Sequence, residues 1–369
     1  MTNETETAEP TQAGKHRTPS YRRKRKIYAG IAVAVMIIYS LLTLIPFYVL
    51  GVRSTVPTKE STTLHLWIPE ADEVNLDAQV GNLAVFYDLD LADFKEAIGI
   101  PPTVFLSART SLRDISEEYD IPEAEIRSFF SGFYTYNGWR TILGDEQFYG
   151  ALGRTLLITV VSLVGLTILS VFTGYGLAGL RRRDQRIVYS TYLLQMVIPA
   201  MLILLPQFLV IQWITNLIPG FSDPGMTRVV TQLASIVAIN VKGTAFSVLI
   251  FTAFINGIPR ELEESAMIDG ASRMQYVWRI LMPLIKAPIV ALVVVQLPLI
   301  YNQFLEPFVY LDPRNSTLLP YIQSTVGVYS TNFQVIYAAI LASIIPLMIV
   351  YTVFRKMFVK GALAGAVKG

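Results

Sequence analysis

Six apolar runs, each long enough to cross a bilayer as a helix, set the pattern of this chain: Ile27–Gly51, Gly150–Leu180, Ile187–Ile214, Val229–Asn256, Leu284–Leu311 and Val335–Phe358. Basic residues gather on one side of that series. Arg22-Arg23-Lys24-Arg25-Lys26 precedes the first run, and Arg181-Arg182-Arg183 with Arg186 closes the second. Arg355, Lys356, Lys360 and Lys368 follow the last. Positive charge is retained on the cytoplasmic side, so the pattern predicts six spans with both termini inside. The first run is too long for a signal-peptide core and no small-residue cleavage site follows it, which predicts an uncleaved helix. Pro199 and Pro206 predict a kink or break in the third run. Residues 1–20, rich in Thr, Glu and Pro, predict disorder, so that 1–26 is a cytoplasmic tail ending in the basic run.

Two polar stretches interrupt the apolar pattern at length. Residues 52–149 hold seven Lys/Arg against seventeen Asp/Glu, a scarcity of positive charge that agrees with an extracytoplasmic place. Thr62–Ile68 and Asn82–Tyr87 alternate weakly, as short strands do. Leu112–Tyr119 and Pro122–Phe130 read as helices, with Ser111 and Asp120 as caps. The segment is expected to be a small α/β or irregular insertion between the first two spans. It serves as a docking surface for an extracytoplasmic partner, or it merely packs on the rest.

The second stretch, 258–288, carries Arg260, Glu261, Glu263, Glu264, Asp269, Arg273, Arg279 and Lys286 between two apolar runs. Such charge density does not lie in hydrocarbon, so this is a helical elbow at the membrane surface. Pro259 suits a first helical turn. Leu262, Ser265, Ala266 and Asp269 then share a face with small residues, open to another backbone or a partner groove. Gly270 turns the chain. Met274, Val277, Trp278 and Leu281 form a second stripe, and Pro283 is expected to break that helix.

Composition narrows the chemistry. Of 369 residues 53% are hydrophobic, with 16% charged and a mean hydropathy of +0.47, values of a polytopic membrane protein. There is no Cys, and the two histidines, His16 and His65, are far apart in sequence. That argues against disulfides, thiol catalysis and a His-based metal or triad site. No GxxxxGK[ST] occurs, so ATP chemistry belongs to a partner. Among polar residues in the spans, Lys242 lies fourteen residues before Asn256, roughly 21 Å from that end of its helix. It faces a pore or snorkels to the outer interface. In the fifth run Tyr301, Asn302, Gln303 and Glu306 combine amides, a carboxylate and an aromatic ring, as sites for hydroxyl-rich ligands do. Interhelical hydrogen bonding accounts for the same residues equally well.

Glu264-Ser265-Ala266, Asp269-Gly270-Ala271 and Ile280-Leu281-Met282-Pro283 closely resemble the EAA loop of ABC importer permeases, E-A-A-x-x-D-G-A followed by I-x-L-P. Ser265 and Met282 are small departures from it. From about Phe148 onward the chain resembles the carbohydrate-importer permeases of the maltose type (MalG-like). Gly174-Tyr175-Gly176-Leu177-Ala178 is similar to A-G-Y-A-L-A-R, and Tyr301-Asn302-Gln303-Phe304 stands where that group has W-N-E-F. Ala245-Phe246 keeps only the Phe of a Pro-Phe pair. The ending Lys360–Gly369 looks like K-G-L-T-A-G-A-V-K-G, with Ala362 and Leu363 departing.

This resemblance implies the ABC type I importer permease fold: an all-α polytopic membrane protein with six transmembrane helices, the permease core spanning 150–358 and a cytoplasmic tail 359–369. It implies a permease subunit moving a maltose- or maltodextrin-like sugar by alternating access, without an enzymatic site or a cofactor of its own. The implied partners are a second, MalF-like permease, two MalK-like ATPase subunits that bind ATP and Mg, and an extracytoplasmic solute-binding protein. Membrane lipid and carbohydrate complete the set; nucleic acid has no part. Glu264, Ser265, Ala266, Asp269, Gly270 and Ala271 would couple to the ATPases, with Glu264 pairing a basic residue there. Gly365, Lys368 and Gly369 would reach the ATPase interface, and Asp312–Tyr329 would meet the binding protein. Alternatives are a permease for polyols or glycerol-phosphates, or a membrane-anchored receptor acting through 52–149.

Overall fold

The computed structural model describes residues 19–55, 75–87, 91–218, 225–242, 245–326 and 333–366. Seventeen α-helices are assigned among them. The first, α1 (Pro19–Arg53), leads to α2 (Val80–Tyr87), α3 (Leu91–Ala97), α4 (Leu112–Glu118) and α5 (Glu123–Gly144). Then come α6 (Glu146–Ala178), α7 (Arg182–Val197), α8 (Ala200–Thr215), α9 (Met226–Val241) and α10 (Ala245–Asn256). The elbow holds α11 (Arg260–Ile268), α12 (Arg273–Tyr276), a π-turn Val277–Leu281 and α13 (Met282–Leu284). The last are α14 (Lys286–Tyr301), α15 (Leu305–Tyr310), α16 (Leu318–Ser324) and α17 (Phe333–Ala366).

The axis of the bundle is α6, which packs against α9, α10, α14 and α16. Glycines let its neighbours approach. A Cβ at Gly165 would lie 2.6 Å from Cγ2 of Val241, and one at Gly174 would lie 2.8 Å from Cβ of Phe251. Between them Ser170 Oγ donates to Ser247 Oγ at 2.9 Å. Small residues at a helix contact give close van der Waals packing, the main source of helix association where hydrocarbon surrounds the chain. Around this seam Leu166, Val171, Ile236, Phe251, Leu281, Ile285 and Leu292 form one buried cluster.

Three single helices are long and apolar enough to cross a membrane: Ile27–Arg53, Glu146–Ala178 and Phe333–Arg355. Two bent pairs qualify as broken spans, α9 with α10 at 49° and Arg273–Leu284 with α14 at 74°. The count is therefore three to five among the described residues, where the sequence predicts six. The expected third span falls into two 16-residue helices meeting at Pro199, whose preceding residue Ile198 is extended, and of the two only α8 is apolar.

The regular elements of the insertion among its described residues are helices, joined by turns. Asn82–Tyr87, expected as a strand, lies inside α2. A short apolar run does not distinguish strand from buried helix by periodicity. Here the chain enters α2 with the N–H groups of Val80 and Gly81 bonded to Thr110 O and Ala108 O, both at 2.9 Å. One isolated antiparallel bridge pairs Gln79 with Ser111. Thr62–Ile68 lies outside them, as does the N-terminal stretch 1–18. Leu76, Val80, Phe94, Ile98, Leu112, Ile115 and Ile126 bury one another in a core separate from the bundle's.

Ser111 caps α4 with a full capping box to Asp114. Its backbone N–H, bonded to the Asp114 carboxylate, holds that group below the usual carboxylate range, and the Ser111 hydroxyl adds to the effect. Asp120 is not the cap of α5. It takes φ 53° in the turn before Pro122, and α5 runs on to Gly144, well past Phe130. There it packs along α17, with Gly138 pressed against the backbone of Gln334 and Trp139 Nε1 donating to Ser54 Oγ at 3.0 Å.

Candidate functional site

The elbow begins where Pro259 precedes α11, with Glu261 and Glu263 in the first turn, a placement the helix dipole favours. Its end is a Schellman motif. Gly270 N–H donates to Met267 O at 3.1 Å and Ala271 N–H to Ala266 O at 2.9 Å, with Gly270 at φ +83°. Ser272 then opens α12 with a second capping box, its Oγ accepting from Gln275 N–H at 3.2 Å. Two caps back to back fix the angle between the helices through local hydrogen bonds.

The break expected at Pro283 comes two residues later, at Ile285. The π-turn widens the ladder first, with Met282 N–H bonded to Val277 O. The ladder is thus already wide when the proline, which has no N–H, is reached.

The expected small-residue face of α11 divides in the structure. Ala266 is buried against the bundle at 6% exposure, whereas Leu262, Ser265 and Asp269 are exposed. The face turned away from the bundle is Glu261, Glu264, Ser265 and Ile268, at i, i+3, i+4 and i+7; Ile268 is 86% exposed. Ala271 is half-buried and packs into the same cluster as Ala266. In the second stripe Val277 and Leu281 point into that cluster, and Met274 and Trp278 stay exposed.

The elbow is tied to the bundle by groups to which the sequence pattern assigns no role. Tyr175, in the last turn of α6, donates its hydroxyl to the Glu263 carboxylate. Its ring lies 6.1 Å from that of Tyr276, and Phe172 meets Trp278 edge-on at 6.1 Å. Glu263 is three residues before Ala266 and shares its inward side of the helix, a placement that only the packing reveals.

The polar residues of the fifth run separate into two kinds. Tyr301 is buried and donates to Ser343 O of α17 at 2.7 Å. Gln303 Oε1 accepts from Asn240 Nδ2 at 3.1 Å, and the same amide reaches Ser162 Oγ at 3.2 Å. These two therefore bond between helices. Asn302 is exposed and Glu306 partly so, on either side of the break between α14 and α15. Lys242 caps the end of α9, exposed, on the wall of a cavity of about 570 Å³ between α8 and α9. Of the tail residues, Gly365 falls in α17, which continues to Ala366 instead of ending near Phe358. Lys368 and Gly369 lie outside the described residues. Among the described residues no three His, Asp or Glu side chains gather as a metal site.

A helical bundle with apolar spans, a charged elbow fixed by two caps and interhelical polar ties is the architecture of a polytopic membrane protein. Residues 167–363 match the family of binding-protein-dependent transport system inner membrane components, and the chain belongs to that family. It is an ABC importer permease, a multi-pass plasma-membrane protein with no catalytic activity of its own. The chain is 27% identical over 233 residues to a probable starch degradation products transport system permease of Thermoanaerobacterium thermosulfurigenes, covering 63% of this chain and 80% of that one. It is 26% identical to the arabinooligosaccharides transport system permease AraQ of Bacillus subtilis, over 67% of this chain and 81% of the relative. The crystal structure of a bacterial ABC transporter involved in importing the acidic polysaccharide alginate shares the fold. The TM-score is 0.60 with 20% identity, over 92% of this chain and 99% of that one.

Proposed function

We propose that this chain is one half of the permease of an ATP-driven importer for a sugar or oligosaccharide, of the maltose type. It pairs with a second, MalF-like permease, and two MalK-like ATPase subunits dock on the elbows. A solute-binding protein delivers saccharide from outside. The elbow and both termini face the cytoplasm, 75–129 faces out, and α7 with α8 completes a six-span topology.

The observation that carries this reading is the elbow itself. Its Glu261, Glu264, Ser265 and Ile268 face is turned from the bundle, while Ala266 and Glu263 fasten it to α6. A helix held in this way moves as a body with whatever grips its outer face. A partner shifts a two-state equilibrium only by binding the two states unequally, and a rigidly held helix transmits that difference. Oligosaccharide permeases among the relatives support the substrate class. Asn302 and Glu306 are the path residues left free of interhelical bonds.

The test is gentle extraction of the tagged chain, identification of its companions, and reconstitution in vesicles with the binding protein. A second permease, an ATPase and saccharide-stimulated ATP hydrolysis are expected. Purification of the chain without an ATPase would overturn the reading. Uptake confined to a polyol or a glycerol-phosphate would move the substrate class and leave the coupling role standing.

A further inference from the structure

The insertion between the first two spans is one unit written twice. Ile68-Pro69, Tyr87-Asp88 and Ala92 recur thirty-two positions on as Ile100-Pro101, Tyr119-Asp120 and Ala124. Val80, Leu83, Leu89, Asp93 and Lys95 recur in kind as Leu112, Ile115, Ile121, Glu125 and Arg127. The elements keep the same interval: α2 and α4 begin at Val80 and Leu112, α3 and α5 at Leu91 and Glu123. Each copy opens with the same turn. Asp77 N–H donates to Asn75 Oδ1 at 2.9 Å, and its counterpart Arg109 N–H to Ser107 Oγ at 3.3 Å.

The two copies close on each other about a local two-fold axis. Val80 N–H donates to Thr110 O at 2.9 Å, and its counterpart Leu112 N–H to Ala78 O at 3.1 Å. Gly81 N–H donates to Ala108 O at 2.9 Å, and Arg113 N–H to Leu76 O at 2.8 Å. The bridge between Gln79 and Ser111 joins a residue to its own counterpart, so the axis passes there. Leu76, Val80 and Phe94 of the first copy are buried with Leu112, Ile115 and Ile126 of the second in one core.

Where two copies of a unit differ, the fold of the unit does not require the difference. Two departures matter. Phe105 is 90% exposed in the 101–107 loop, at a place where the first copy's sequence has Glu73. The second departure is α5, with 22 residues against seven in α3. Its Ile126 lies in the module's core and its Ile142 in a cluster with Ala338 and Ala339 of α17, about 24 Å apart along one helix. Asp145 then ends α5 and caps α6. A load on the module therefore passes to two spans. Its surface is acidic, since 75–129 holds eleven Asp/Glu against four Lys/Arg. Arg113 and Arg127 are paired within the module and Lys95 Nζ donates to Val104 O at 2.6 Å. Asp93, Glu96, Glu117, Glu118 and Glu125 stay exposed. Such a surface is repelled by anionic headgroups, so lipid is not the occupant that suits Phe105.

We propose that this duplicated module receives the importer's extracytoplasmic solute-binding protein, with Phe105 as the anchor and a basic face of that protein meeting the acidic surface. This rests on the importer reading and gives it a contact outside the membrane. A large exposed aromatic carries binding energy once a protein partner covers it, and the charge around it sets partner choice and association rate. Attachment through one continuous helix lets α6 and α17 respond to whether the partner is seated, which a flexible tether would not.

Two measurements on the assembled importer in nanodiscs test this. The first is the affinity of its binding protein, read by surface plasmon resonance. Phe105→Ala truncates the ring and Phe105→Glu copies the first repeat, so neither disturbs the module's core. Affinity is expected to fall about tenfold or more in each variant, and in the unmodified chain to weaken as salt is raised. Unchanged affinity in either variant, or affinity indifferent to salt, overturns the proposal. The second uses the absence of Cys from the chain to place one environment-sensitive fluorophore at Thr103→Cys, exposed two residues from the anchor. Its emission is expected to shift to the blue when binding protein is added. No shift, or an emission already blue and quenched by brominated lipid before the addition, overturns the proposal. Binding protein that stimulates ATP hydrolysis at the same half-saturating concentration in all the Phe105 chains sinks this inference alone. An importer that no binding protein stimulates sinks the importer reading and this inference with it.

Discussion

The two ends of α6 are held in different ways. At the Asp145 end the ties are many and polar. Asp145 caps the helix through Gln147 N–H at 2.7 Å and also accepts from Tyr321. Arg154 Nε donates to Ser316 O at 2.9 Å, and Leu318 N–H donates to Thr155 Oγ1 at 2.8 Å. At the elbow end one polar tie among the described residues reaches the elbow itself, Tyr175 to Glu263, with ring contacts, the Gly174 seam and the Ser170–Ser247 bond to α10 around it. Several bonds to one segment make an anchor, since no single loss frees it. One bond between two rigid helices makes a joint that passes displacement along. The difference teaches that substitutions at the elbow should act on coupling, and those at the anchor on stability.

Gly270→Val should break the joint most completely. A β-branched residue at φ +83° is strained by about 1–2 kcal/mol or more, although nothing crowds the added Cβ. The Schellman turn would open and α11 would lose its angle to α12. ATP-driven uptake is expected to fall about tenfold or more with insertion intact. Gly270→Asn, which tolerates this conformation, should retain most uptake. Equal loss in both variants, or unchanged uptake in Val, would show that the turn does not set the coupling.

Tyr175→Phe comes next, removing the tie and keeping the ring. A hydrogen bond to a charged group is worth about 1.5–3 kcal/mol, but Glu263 is partly exposed and water can replace the phenol. A several-fold drop in uptake per ATP hydrolysed is expected, with melting temperature little moved. A large loss of thermal stability without a change in that ratio would make this end an anchor too, and the comparison would fail.

The legibility of these regions follows their physics. The elbow was readable because caps and turn residues are local: Gly270 and the Asp-Gly-Ala spacing announce a turn whatever surrounds them. Which face of α11 meets the bundle was not, because Ala266 is small enough to suit either side and only its packing into the buried cluster of the bundle decides it. The same limit applies to Asn82–Tyr87, whose apolar run suits a strand or a buried helix until Thr110 and Ala108 bond the N–H groups of Val80 and Gly81 just before it. The roles of Tyr301 and Gln303 depended on partners 42 and 63 residues away, Ser343 and Asn240, beyond any local pattern.

Thr155→Val tests the anchor from the other side. The side chain keeps its shape and loses the acceptor, so the buried N–H of Leu318 is left unpaired at a cost of about 1–3 kcal/mol. The melting temperature of the purified complex should fall while uptake per ATP hydrolysed holds. Coupling lost in step with stability would mean that the two ends of α6 are not independent.

The smallest effect is expected from Tyr321→Phe, and its pH dependence checks the burial account. Burial pushes the Tyr321 phenol well above the ordinary tyrosine range, and the bond to Asp145 and the charge of that carboxylate push it further the same way. The neutral phenol is the form that donates. Because the folded value is the raised one, its contribution is fully present below the unfolded pKa of about 10 and is lost only as pH climbs through the folded value. The melting difference between the unmodified and Phe chains should therefore be constant from pH 7 to about pH 9.5 and worth about 1.5 kcal/mol, the low end for a bond to a charged group, because Asp145 is partly exposed and water can replace the phenol. If the two chains melt alike from about pH 7 to 9.5, or a difference present there does not shrink above about pH 10, the phenol is not held by the carboxylate, and Asp145 is not holding α16 against α6. The anchor would then rest on Arg154 and Thr155 alone, and removing both acceptor and guanidinium should release it.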